Sequence, residues 1–138
     1  MQTALYILPE IFLSLSLMIL LMVGVFVNKS YKLINLLVIL TMFFTIALII
    51  NQPDQTVKIF NNSYIIDNLS IYMKILTLLF CSFILIISQD YIKINNINKI
   101  EYPIIILAST LGMILMISSY DLIIFYLGLE LNSLCLYI

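Results

Sequence analysis

The sequence has 138 residues, of which 64% are hydrophobic and 9% charged, with a net charge of −1. A soluble domain carries roughly 25% charged and about 45–50% apolar residues, so there is too little polar surface here to coat a water-facing globule. All six basic residues are Lys and there is no His; this leaves no basic patch for nucleic acid, no acidic tail for a basic partner, and none of the side chain most used for metal binding and acid–base work.

Crossing a bilayer as a helix takes about 20 mostly apolar residues. The chain offers five such runs, and the expected fold is all-α: one membrane domain over 1–138, a polytopic bundle with spans near 5–27, 33–50, 69–87, 102–117 and 122–138. The first span has Pro9 in its opening turn, where the missing N–H costs nothing. Glu10 sits beside it at the interface, where a carboxylate suits a helix N-terminus. No basic n-region or small-residue cleavage site marks this run as a signal peptide, and more spans follow. Asn28-Lys29-Ser30-Tyr31-Lys32 ends it.

The second span is followed by the longest polar stretch, Asn51 to Asn68. Within it, Thr56-Val57-Lys58-Ile59-Phe60 and Ser63-Tyr64-Ile65-Ile66-Asp67 flank Asn61-Asn62. Two β-prone runs around residues that tolerate positive φ read as a hairpin, with an irregular loop as the equal alternative. Lys74 lies in the first two turns of the third span, and is expected to snorkel its ammonium to the headgroups. Ser88 to Glu101 is a second polar connection. Pro103 stands in the first turn of the fourth span. Ser118-Ser119-Tyr120-Asp121 is a tight connection whose serines can cap the fifth helix, with Asp121 at its positive end. Cys81 and Cys135 lie in apolar runs without metal-ligand spacing and read as small buried hydrophobes. Continuous apolar runs, without period-2 alternation, exclude a barrel. Lys29, Lys32, Lys93 and Lys99 fall on one side of the membrane. Lys58 and Lys74 fall on the other, so the positive-inside rule places the N-terminus outside and the C-terminus inside.

One residue carries a chemical suggestion. Glu130 lies nine residues past Asp121, roughly 13–14 Å into the membrane at about 1.5 Å per residue. An acid at that depth costs on the order of 2–3 kcal/mol, and such residues face a bundle interior and mark a proton or ion path. Desolvation favours the neutral acid and a nearby cation favours the carboxylate, so a group balanced between them can load and unload a proton. Tyr126 and Ser133 share the Glu130 face at i−4 and i+3 and can support it by hydrogen bonding, whereas Asn132 points elsewhere. The bland alternative is a permanently neutral Glu that bonds a neighbouring helix.

The run Ala108-Ser109-Thr110-Leu111-Gly112-Met113, then Asp121-Leu122, then Leu127-Gly128-Leu129-Glu130-Leu131-Asn132-Ser133-Leu134, resembles NADH dehydrogenase subunit 2. That subunit is one of the antiporter-like membrane-arm subunits of respiratory complex I. Leu8-Pro9-Glu10-Ile11-Phe12-Leu13 and Ile66-Asp67-Asn68-Leu69 fit the same family, so the resemblance runs in order along the whole chain. It implies the N-terminal part of an antiporter-like bundle with inverted repeats. The family's mid-membrane glutamate would fall on Glu130, and its partner lysine on a later helix without a counterpart here. Redox chemistry and cofactors would belong to other subunits, with no cofactor or metal in this chain. Partners would be the lipid bilayer, other membrane-arm subunits and a chain carrying the remaining helices, as in a split subunit. Plentiful Ile, Asn and Lys without Arg fit an AT-rich organelle, hence the mitochondrial inner membrane, with a bacterial inner membrane as the alternative. Competing with a proton-translocating role are a purely structural membrane subunit and a cation/proton antiporter component.

Overall fold

In the computed structural model, residues 2–26, 31–52, 56–59, 63–94 and 100–137 are described. They form five helices and one hairpin: α1 (Gln2–Phe26), α2 (Tyr31–Ile50), β1 (Val57–Ile59), β2 (Tyr64–Ile66), α3 (Asn68–Ile94), α4 (Glu101–Ile117) and α5 (Leu122–Tyr137). Three helices are long and apolar enough to cross a bilayer, within Tyr6–Gly24, Tyr31–Ile50 and Asn68–Ile92, while α4 and α5 are shorter apolar helices. The chain is an all-α membrane protein, as its composition requires.

The helices run up and down. Gln52 Nε2, just past α2, donates to the Tyr6 carbonyl at 3.0 Å, so the end of α2 lies beside the start of α1. At the opposite end, Gly24 of α1 faces Ile100 and Ile104, around the start of α4. The hairpin joins the α4–α5 connection through three backbone bonds. Ile65 N–H donates to the Ser118 carbonyl at 2.9 Å, and Tyr120 and Asp121 N–H donate to the Ser63 carbonyl at 3.0 and 3.3 Å. The α2–α3 and α4–α5 connections therefore share one end of the bundle, which alternating crossings demand.

The core belongs to four helices. Leu13 and Leu20 of α1, Ile34, Val38 and Met42 of α2, Leu78 and Leu85 of α3, and Leu107 and Ile114 of α4 form one buried cluster. In α2 the buried positions are Tyr31, Ile34, Asn35, Val38, Met42, Thr45, Ile46 and Ile49, a stripe at i, i+3, i+4 and i+7 that turns one face inward. α5 lies outside this core and buries only Gly128. Its bond to α4 is a close approach of small residues. A Cβ on Gly128 would stand 2.7 Å from Met116 Cγ and 2.9 Å from the Gly112 carbonyl oxygen. One side-chain bond adds to it, as the Ser109 hydroxyl donates to Asn132 Oδ1 at 2.6 Å. Between membrane helices, with no water to expel, such packing and polar contacts supply the association.

Several sequence expectations shift. α1 begins at Gln2 and runs through Pro9, so this proline sits inside the helix and removes one backbone bond instead of occupying the first turn. α3 continues to Ile94, through what reads as a polar connection from Ser88. Nothing in Ser88-Gln89-Asp90-Tyr91-Ile92 breaks a helix, and Ile92 is buried. At about 1.5 Å per residue α3 is about 40 Å long, which exceeds the roughly 30 Å of hydrocarbon and carries its last turns toward the interface. The hairpin reading holds in its strands, with Val57 opposite Ile66 and Ile59 opposite Tyr64; the Asn61-Asn62 turn lies outside the described residues. Ser119 finishes α4 and does not cap α5: its hydroxyl donates to the Met116 carbonyl at 2.6 Å. Asp121 starts α5, its carbonyl accepting the Phe125 N–H at 3.1 Å.

Gly128→Ala should lower the stability of the chain in detergent by about 1–3 kcal/mol through overpacking against α4. Gly24→Ala should cost less, because its added Cβ meets only side-chain ends of Ile104 and Ile100 at 3.2 and 3.3 Å. Thermal unfolding followed by circular dichroism compares the two, and equal losses would mean that the α4–α5 contact is not tight.

Candidate functional site

The hairpin packs by alternation. Tyr64 and Ile66 point inward and Ile65 less so, and with Ile59 and Tyr6 they form a small second core, against which Ile7, Val57, Ile71 and Leu115 pack. α3 starts directly after it. The Ser70 hydroxyl accepts the Asp67 N–H at 2.9 Å and donates to the Asp67 carbonyl at 2.7 Å, which closes the first turn. The third residue of the helix thus serves the backbone of the capping residue. This start sets Lys74, in the second turn of α3, below the hairpin and level with Glu10 in the third turn of α1.

Lys74 is 1% exposed and Glu10 7% exposed. The Lys74 ammonium donates to Glu10 Oε1 at 2.6 Å. The Tyr64 hydroxyl donates to the same oxygen at 2.9 Å, and the ammonium also reaches the Tyr64 oxygen at 3.4 Å. It lies 5.4 Å from the centre of the Tyr64 ring, within range of a cation–π attraction. Burial, reinforced by the Glu10 charge, pushes the Tyr64 phenol well above its ordinary range, so it stays a neutral donor. The second carboxylate oxygen, Oε2, is buried without a hydrogen-bond partner among the described residues. Glu10 and Tyr64 line a half-open cavity of about 170 Å³ together with Ile7, Leu115 and Ile124.

This arrangement overturns two sequence readings. Lys74 does not snorkel to the headgroups, because a carboxylate at equal depth on α1 holds its ammonium inside the bundle. Glu10 does not serve a helix N-terminus at the interface, since α1 begins eight residues before it. A signal for the pair was present in the sequence. Glu10 and Lys74 are opposite charges inside apolar runs, each within a few turns of the same end of two spans that run in the same direction.

The residues singled out from the sequence lie on α5. Glu130 is exposed on the outer face of the chain, and among the described residues its carboxylate has no hydrogen-bond or ion-pair partner. Tyr126 is also exposed. The Ser133 hydroxyl donates to the Glu130 backbone carbonyl at 2.9 Å, so it is spent on the helix and not on the carboxyl group. Asn132 turns away to Ser109. Glu10 and Glu130 are therefore in opposite situations: Glu10 is enclosed and paired, and Glu130 faces outward.

The sequence is 52% identical over 134 residues to "NADH-quinone oxidoreductase subunit N" of Pelagibacter ubique (strain HTCC1062), covering 96% of this chain and 28% of that protein. It is 44% identical over 133 residues to the protein of the same name from Bartonella bacilliformis, covering 96% of this chain and 27% of the relative. It is 37% identical over 139 residues to "NADH-ubiquinone oxidoreductase chain 2" of Marchantia polymorpha, covering 94% of this chain and 28% of the relative. The chain spans about 28% of the length of these curated relatives. No protein-family model matches it. The resemblance read from the span-four and span-five residues is thus shared by nearly the whole chain.

Lys74→Met should destabilise the chain by about 3–5 kcal/mol, because it leaves a buried carboxylate without its cation. Adding Glu10→Gln should recover most of that loss. Unfolding in mixed micelles measures the cycle, and a single variant as stable as the original chain would remove the pair from the list of what holds α1 against α3.

Proposed function

We propose, from its homology to NADH-quinone oxidoreductase subunit N and NADH-ubiquinone oxidoreductase chain 2, that this chain is a membrane-arm component of a proton-translocating NADH:quinone oxidoreductase, and that Glu130 belongs to its proton path. The observation that carries the proposal is similarity along 96% of the chain, which includes the helix bearing Glu130. The chain takes no part in the redox steps, and flavin and iron–sulfur chemistry belongs to other subunits. Its work is electrostatic. Helices packing on the open face of α5 remove Glu130 from lipid and bring a cation toward it. A charge change nearby then moves the balance between neutral acid and carboxylate, and a proton is loaded or released. Tyr126 lies on the same open face and supports the carboxyl group directly or through water, while Ser133 holds the backbone at Glu130.

The partners on that face are the further helices that the relatives' length implies, on a separate chain of a split subunit or otherwise, together with other membrane-arm subunits. The membrane is an inner membrane. The compositional bias favours a mitochondrial one, and the higher identity to Pelagibacter ubique than to Marchantia polymorpha favours a bacterial one. A purely structural role is the second reading, favoured by the absence of a partner for the Glu130 carboxylate among the described residues.

Glu130→Gln separates the two. Gln keeps the shape and the hydrogen-bonding capacity but not the charge. In the assembled enzyme, NADH-driven proton pumping should fall about 100-fold or more, as when a proton-transferring side chain is lost, with assembly intact. Unchanged pumping would leave the structural role.

A further inference from the structure

Four features set the Glu10 cluster apart from a simple helix-to-helix clamp. The first is its isolation from water: Glu10, Lys74 and Tyr64 are 7%, 1% and 5% exposed. The second is the uneven use of the carboxylate. Oε1 accepts from both the ammonium and the phenol, whereas Oε2 is buried with no hydrogen-bond partner among the described residues. A clamp in a low-dielectric interior gains most when every lone pair is used, and an idle carboxylate oxygen there is costly. The third is the space beside it. The cavity of about 170 Å³ is lined by Glu10 and Tyr64 and otherwise by Ile7, Leu115 and Ile124, which have no polar group to offer Oε2. Its walls are apolar and half open, and its volume exceeds the roughly 30 Å³ that one water occupies in the liquid, so a water that enters has the Glu10 carboxylate as its polar partner. The fourth is the seat of the cation. Lys74 keeps the Tyr64 oxygen at 3.4 Å and the Tyr64 ring at 5.4 Å, so it retains two contacts when Glu10 is neutral.

We propose that Glu10, Lys74 and Tyr64 form a second proton-loading site in this chain, in which Glu10 takes up one proton on Oε2 from water in the cavity. The step balances simply. Hydronium gives its proton to Oε2, the carboxylate becomes a carboxylic acid, and water remains. Lys74 stays an ammonium, and the net charge of the pair rises from zero to +1. Oε1 still accepts from Tyr64, so the hairpin stays docked while the local charge changes. The groups that face Glu10 are Lys74 from α3 and Tyr64 from the hairpin, while α4 and α5 line the cavity with Leu115 and Ile124, neither of which titrates. The occupancy of the site is thus set by the ammonium, the phenol and the water of the cavity.

The test is infrared difference spectroscopy of the full chain in lipid nanodiscs between neutral and acid pH, read in the protonated-carboxyl stretch. It needs no NADH and no pumping, so it is independent of the role of Glu130. A deuterium-sensitive component present in the unsubstituted chain and in Glu130→Gln should be lost in Glu10→Gln, with the components from the other acids unchanged. Tyr64→Phe and Lys74→Met each remove a group that favours the carboxylate, so in both the Glu10 component should appear at a higher pH. If Glu10→Gln does not fold, Glu10→Gln with Lys74→Met provides an uncharged pair in which that component should be absent. A spectrum unchanged by the loss of Glu10, or a Glu10 component indifferent to both Tyr64→Phe and Lys74→Met, overturns the proposal.

Discussion

Inside hydrocarbon a polar group must find its partner within the protein, and this chain is organised around that demand. The hydroxyls of Ser16, Thr45, Ser82 and Thr110 donate to carbonyls three residues back in their own helices, so they can sit between helices at little cost. Asn35 reaches across from α2 to the Leu85 carbonyl. The largest debt is the ammonium of Lys74, and its settlement fixes more of the architecture than any apolar contact does. Glu10 must come from α1, Tyr64 must come from the hairpin, and the hairpin must fold back over the ends of the helices. Once there, its edge takes the backbone of the α4–α5 connection. A single buried charge thereby ties α1, α3, the hairpin and the start of α5 to one end of the bundle.

The two carboxylates invert the usual link between burial and function. Glu130, well inside the fifth apolar run, reads from the sequence as the chemical residue, yet it lies on an open face, with Ser133 and Asn132 engaged elsewhere. Glu10, near the start of the chain, passed as an interfacial residue, yet it is enclosed, charged and half satisfied. Around Glu130 the described residues offer its carboxylate no partner. Around Glu10 the ammonium and the phenol both come from this chain. The same helical array thus presents one carboxylate enclosed by its own folding and one left open.

Much of the fold was legible because a bilayer imposes a length scale on sequence. Apolar runs near 20 residues gave five helices within a few residues of their observed limits, and the flanks of Asn61-Asn62 gave the hairpin. The misplaced boundary, at Ser88, came from equating polar with non-helical; helices do not stop where the membrane does. The Glu10–Lys74 pair is not legible in the sequence residue by residue, where each taken singly suits the membrane interface. Their separation of 64 positions hides a contact that only the parallel course of α1 and α3 creates. Tyr64 could not be placed at all without the strand alternation that turns its ring inward.

That same separation has a consequence for how the protein is made. Glu10 and Lys74 meet across 64 residues of sequence, and at a synthesis rate of about 5–20 residues per second their partnership is delayed by roughly 3–13 s. During that interval α1 is complete, apolar and ready to partition, but it carries a carboxyl group whose cation has not yet been made. The carboxyl must remain neutral or remain away from the acyl chains until α3 emerges. The first helix therefore cannot settle into the lipid on its own terms. The ion pair with α3 then offsets a cost that α1 carries by itself in the acyl chains.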